Sequence, residues 1–149
     1  MTRKSLVGRI QAASGRELAD FAEALAALAA ASAAITLLPF RMVVRAMDYG
    51  AVDQARDAAR DHQVADEVRR AVRRAAARLP WRIVCFPEGL AAHWMLRRRG
   101  LPSRVHYGLR QTRAKLSAHV WVTLGEAVVV GEESGDFHTC VAVFPAQPD

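Results

Sequence analysis

Cysteine is scarce. Cys85 and Cys140 are the only two in 149 residues, too few to staple a secreted scaffold. No CxxC pair or Cys/His cluster has the spacing of a structural zinc site. A glycine-rich phosphate loop, an internal repeat and a low-complexity linker are also missing. No metal or cofactor site is therefore expected. Acidic residues are the minority, 15 against 21 Lys and Arg, which leaves a formal charge of +6. At 52% apolar and 24% charged, the composition is that of a globular chain and not of a disordered tail. The length fits one domain and excludes a multidomain machine.

Uncharged runs are short as well. The longest, Ala24 to Phe40, covers 17 residues, is rich in alanine and ends at Pro39 and Phe40. A membrane-spanning helix needs about 20 predominantly apolar residues. Glu17, Asp20 and Glu23 stand where a signal peptide would be positive. The run reads as a core helix and no membrane span is expected. Positive charge gathers early: residues 1–110 hold 19 basic and 10 acidic side chains, and residues 111–149 hold 2 and 5. A basic body can attract acidic peptide, nucleic acid or anionic lipid. Arginine alternating with alanine at helical spacing equally reads as a solvated face, and no nucleic-acid partner is expected.

The first half reads as helix. A helix starting at Ser14 or Gly15 and running to Leu38 has Leu18, Phe21, Ala22, Leu25, Leu28 and Ala29 at 3–4 spacing. A short amphipathic piece follows with Phe40, Val43, Val44 and Met47, then a turn at Asp48-Tyr49-Gly50. Asp53 is expected to cap a long helix to about Arg78. Its apolar stripe is Val64, Val68, Ala71, Val72, Ala75 and Leu79, with Arg69, Arg70, Arg73, Arg74 and Arg78 opposite. The second half changes character. A helix over 86–99 ends at Gly100, a good residue for the left-handed position after a helix. Strands are expected over 103–109, 118–124, 127–131 and 139–144, with a tight hairpin at Gly125-Glu126. The fold class is α+β: N-terminal helices over 1–80, then a core over 81–149 in which a Cys-bearing helix packs on a small antiparallel sheet.

Cys85 opens that helix. Unpaired N–H groups and the dipole at a helix start stabilise a thiolate, and Pro87 suits a first turn. A buried structural thiol is the alternative. His119 lies in the alternating run Ala118-His119-Val120-Trp121-Val122, where 119 and 121 share one face. It is either a base for a thiol or a half-buried histidine bonded to backbone. A Cys at a helix start with a His on a later strand is the arrangement of thiol hydrolases. The hairpin returns the chain so that residues 130–132 lie beside 118–120. Glu132 is then the carboxylate best placed to orient the imidazole, with Asp136 a weaker candidate; either is otherwise a solvated turn acid. His93 stands about two turns, roughly 12 Å, along the helix from Cys85 and is too far to be its base. Nothing selects His106. Cys140 is expected in the core.

Leu79-Pro80-Trp81…Cys85, then Met95-Leu96-Arg97-Arg98-Arg99-Gly100-Leu101-Pro102, and the later Ala118-His119-Val120-Trp121-Val122, together resemble the standalone transglutaminase-like leader peptidases of lasso-peptide biosynthesis. So do Leu37-Leu38-Pro39-Phe40-Arg41, Val128 to Gly131-Glu132, and Val141-Ala142-Val143-Phe144-Pro145. The resemblance covers nearly the whole chain. It implies a papain-like cysteine protease that removes the leader from a precursor peptide, with Cys85 as nucleophile and His119 as base. The family often places an Asp third, after the His strand. Here no Asp occurs between His119 and Gly135, so Glu132 replaces it or a dyad suffices.

The resemblance also implies partners: the leader–core precursor, a separate winged-helix leader-binding protein for which this chain has no room, and an asparagine-synthetase-like cyclase. A free nucleophilic thiol implies a reducing cytoplasm. The Arg-rich helix and the apolar first helix could form a docking face. Two readings stand beside the leader peptidase: another transglutaminase-like amidase or acyltransferase, and a non-catalytic basic helical adaptor for peptide or nucleic acid.

Overall fold

A computed structural model describes residues 15–48, 57–131 and 138–146. It contains the helices α1 (Gly15–Leu37), α2 (Phe40–Met47), α3 (Ala58–Ala76) and α4 (Cys85–Arg98). The strands β1 (Ser103–Gln111), β2 (Leu116–Leu124), β3 (Ala127–Val130) and β4 (Thr139–Phe144) follow. The expected order of helices and then an antiparallel sheet holds.

Each helix buries one stripe. α1 buries Ala24, Leu28 and Ala31, at a spacing of three to four, against α3 and α4. By length and composition α1 could cross a membrane; here its apolar stripe meets other helices. α3 buries Ala65, Val68, Ala71, Val72 and Ala75. Its cap is Asp57 and not Asp53, which lies outside the described residues. Asp57 is extended (φ −90°, ψ 113°) and its carboxylate accepts the Ala59 N–H at 3.0 Å, which satisfies an orphan donor of the first turn. Tyr49 and Gly50, the rest of the expected turn, are likewise outside the described residues.

α4 is the central element. Pro87, Gly89, Leu90, Ala91, Ala92, His93, Met95 and Leu96 are all buried, so helices cover one side and the sheet the other. Gly100, at φ +75°, ends it: the Gly100 N–H reaches the Arg97 carbonyl and the Leu101 N–H reaches that of Leu96. Those two bonds form a Schellman closure, with Leu101 buried beneath. Arg99 then ties α4 to α1, its guanidinium 2.8 Å from both Asp20 and Glu23.

The sheet order is β3-β2-β1-β4, antiparallel throughout. The β2–β3 turn has positive φ only at Gly125 (+59°), the pattern of a II′ hairpin. β3 pairs with Val122–Leu124 only, so along residues 116–121 the outer edge of β2 carries no strand among the described residues. β4 is an edge strand. That position explains why Cys140, expected in the core, is exposed.

His93 is fully buried and joins three elements. Its Nε2–H donates to the Met47 carbonyl at 2.8 Å, and its Nδ1 accepts from the Ser103 hydroxyl at 2.9 Å. Burial is the main reason its pKa falls from 6.5 to about 4. The unfolded chain therefore takes up a proton first as pH falls, and stability is lost between pH 6.5 and about 4. The stability lost by the native chain between pH 7 and 4, beyond that lost by His93→Gln, should be on the order of 3 kcal/mol. Urea titrations of both at each pH measure it; equal losses would refute this role for His93.

Candidate active site

Cys85 is the first residue of α4 and is half-buried. Val84 before it is extended (φ −99°, ψ 173°) and has no side chain able to cap. Pro87 has no N–H, and the Glu88 N–H bonds the Val84 carbonyl at 3.3 Å. Among the described residues the N–H groups of Cys85 and Phe86 have no backbone acceptor. These are the orphan donors of a helix start.

The sheet position of this helix is fixed by a close approach. A Cβ on Gly89 would stand 2.9 Å from Cγ1 of Val120, so only glycine lets α4 lie this close to β2. One turn, about 6 Å, separates Gly89 from Cys85, and Val120 is the residue after His119. The thiol and the imidazole thus belong to two elements in direct contact. Alternation along β2 turns Val120 and Val122 to α4, and His119 and Trp121 to the opposite face. No hydrogen bond joins Cys85 to His119 among the described residues.

His119 is half-buried and held by backbone. Its Nε2–H donates to the Gly131 carbonyl at 3.0 Å. A carbonyl only accepts, so the neutral ring carries its proton on Nε2 and has Nδ1 as its acceptor. The hairpin does return residue 131 beside residue 119, as the spacing predicts. Glu132 and Asp136, the two acids considered for the third position, lie outside the described residues. Gly131 itself is constrained: its φ is +88°, and a Cβ would stand 2.6 Å from Cβ of Trp121 and 2.8 Å from the Val120 carbonyl oxygen.

The same sheet face carries groups the sequence reading passed over. His106 stacks on Trp121 at 5.3 Å, Trp121 on His119 at 6.2 Å, and the His119 ring lies 5.3 Å from that of His138. His106 bonds the Thr123 hydroxyl at 2.8 Å and stands 3.9 Å from the Cys140 sulfur. Burial, and then the nearby Arg104 cation, hold its pKa below the usual imidazole value. His138 and Cys140 are two apart on one strand approach, which is a signal that they share a face. The described residues contain no group of three or more side chains able to hold a metal ion.

A family model described as the transglutaminase-like superfamily matches residues 24–142. The chain belongs to that superfamily. Membership is consistent with cysteine protease or acyl-transfer activity. No curated protein and no solved structure gives a match.

Gly131→Ala should lower the free energy of unfolding by about 2 kcal/mol, because the left-handed backbone and the contact with Trp121 both oppose a methyl. Chemical denaturation measures it, and an unchanged midpoint would show that this turn is not constrained as described.

Proposed function

We propose that the chain is a thiol peptidase that cleaves the leader from a lasso-peptide precursor. The observation that carries the thiol chemistry is Cys85 at the first position of α4, beside two N–H donors that have no backbone acceptor among the described residues. Superfamily membership supports the reaction class, and the sequence resemblance supports the substrate.

In this reading the Cys85 thiol gives its proton to Nδ1 of His119 and attacks the carbonyl at the leader–core junction. The sulfur–carbon bond forms, and the oxyanion is held by the Cys85 and Phe86 N–H groups. His119 passes its proton to the leaving amine, the new core N-terminus. Water, activated by His119, then hydrolyses the thioester and frees the leader. The Gly131 carbonyl orients the imidazole, which is the task usually given to a carboxylate or amide. The imidazole and the thiol, turned to opposite faces of β2 in this structure, meet in this reading only when substrate binds. A separate leader-binding protein delivers the precursor and an asparagine-synthetase-like enzyme closes the ring, in the cytoplasm. The exposed Arg70, Arg73 and Arg74 on α3 offer a docking face for such a partner.

With a co-expressed precursor and leader-binding protein, Cys85→Ala should abolish processing and His119→Ala should slow it at least about 100-fold. Mass spectrometry of the released core reads both. Processing that survives Cys85→Ala would leave the adaptor reading, whose mark is binding that ignores Cys85 and falls steeply with salt. Glu132→Gln separates the two orienters. A loss of less than about tenfold fits the carbonyl, whereas a loss near 10⁴-fold, the cost of removing a triad carboxylate, would assign Glu132.

A further inference from the structure

Exposed apolar side chains lie on the segment that leads into Cys85 and on the start of α2, which meets Phe86, the residue after Cys85. Phe40 is 54% exposed, Val84 54% and Trp81 45%. The Phe40 ring, from the start of α2, lies 6.2 Å from that of Phe86, the residue after Cys85. Phe86 in turn meets Tyr107 of β1 edge-on at 6.5 Å. Phe40 is also continuous with exposed Leu37, Leu38 and Met42 at the α1–α2 corner. α2, α4 and β1 thus bring aromatic rings together at Phe86, the residue after Cys85.

We propose that Phe40 and Phe86 form a specificity subsite for a bulky apolar side chain, carried by the residue whose carbonyl Cys85 attacks. This rests on the acyl-transfer reading. The argument is one of reach. An attacked carbonyl lies against the thiol and the N–H groups of Cys85 and Phe86. Its Cα is bonded directly to that carbon, so the side chain of that residue is the nearest of any in the peptide. It falls on the rings flanking Cys85. An apolar side chain covers those rings and is stabilised by leaving water, whereas an acidic one would lose its hydration there.

The test uses the full chain and two irreversible reagents with the same electrophile, N-acetyl-phenylalanine and N-acetyl-alanine chloromethyl ketones. Alkylation joins the sulfur to the methylene carbon and expels chloride. Peptide mapping by mass spectrometry gives the rate at Cys85, normalised to free N-acetylcysteine. The phenylalanine reagent should be favoured by about tenfold. Phe40→Ala should remove most of that preference without slowing the alanine reagent, and Phe40→Leu should keep most of it. A normalised ratio of one in the native chain, or a preference unchanged in Phe40→Ala, would overturn the subsite. Alkylation needs no turnover, so the subsite can fail while the peptidase reading stands. Conversely, intact processing by Cys85→Ala overturns the peptidase reading whatever the reagents show.

Discussion

The contact between Gly89 and Val120 governs this structure. A helix and a sheet normally keep room between them for side chains. Here a residue without one sits against a branched side chain, with 2.9 Å left for an absent Cβ. That closeness makes α4 the layer shared by helices and sheet, and its burial on nearly every side follows. Its start is then set relative to β2 by rigid elements, not by loops. The position of Cys85 is a consequence of packing one turn further along the helix.

The same contact sets where His119 goes. With Val120 turned to the helix, alternation sends His119 and Trp121 to the other face. The imidazole is held there by the Gly131 carbonyl and by flanking rings. β3 stops at Val130, and the next residue, Gly131, turns its carbonyl to His119. A backbone acceptor fixes the tautomer as well as a carboxylate does. It lacks the charge that would stabilise an imidazolium, so it favours orientation over basicity.

Much of this was legible in the chain. Apolar stripes at 3–4 spacing gave the helices, and Gly100 and Gly125 gave the helix end and the hairpin, because each signal is local. Asp57, and not Asp53, caps α3 because several acidic residues precede the stripe and only backbone geometry chooses among them. Cys140 looked like core because its strand is apolar, yet strand order puts β4 at an edge, and order is a non-local property. The Gly131 carbonyl was invisible for a different reason. Sequence advertises side chains, and a search for the imidazole's partner among acids passes over an acceptor that every residue possesses.

The two halves of the chain are joined along α4 by polar bonds. α2 would be a short, weakly held helix on its own. Its last turn is bonded to α4 twice, from the Met47 carbonyl to His93 and from the Ala46 carbonyl to the Trp94 indole at 3.3 Å. His93 also accepts from Ser103, so one imidazole fixes α2, α4 and β1 together. Those three elements carry Phe40, Phe86 and Tyr107. The aromatic row centred on Phe86 is therefore tied together through a histidine two turns along α4 from Cys85. Burial keeps that ring neutral, and neutrality lets Nδ1 remain an acceptor. A charged ring would present a donor to Ser103 and turn the same junction into a conflict, which is why a residue remote from the thiol can decide the geometry around it.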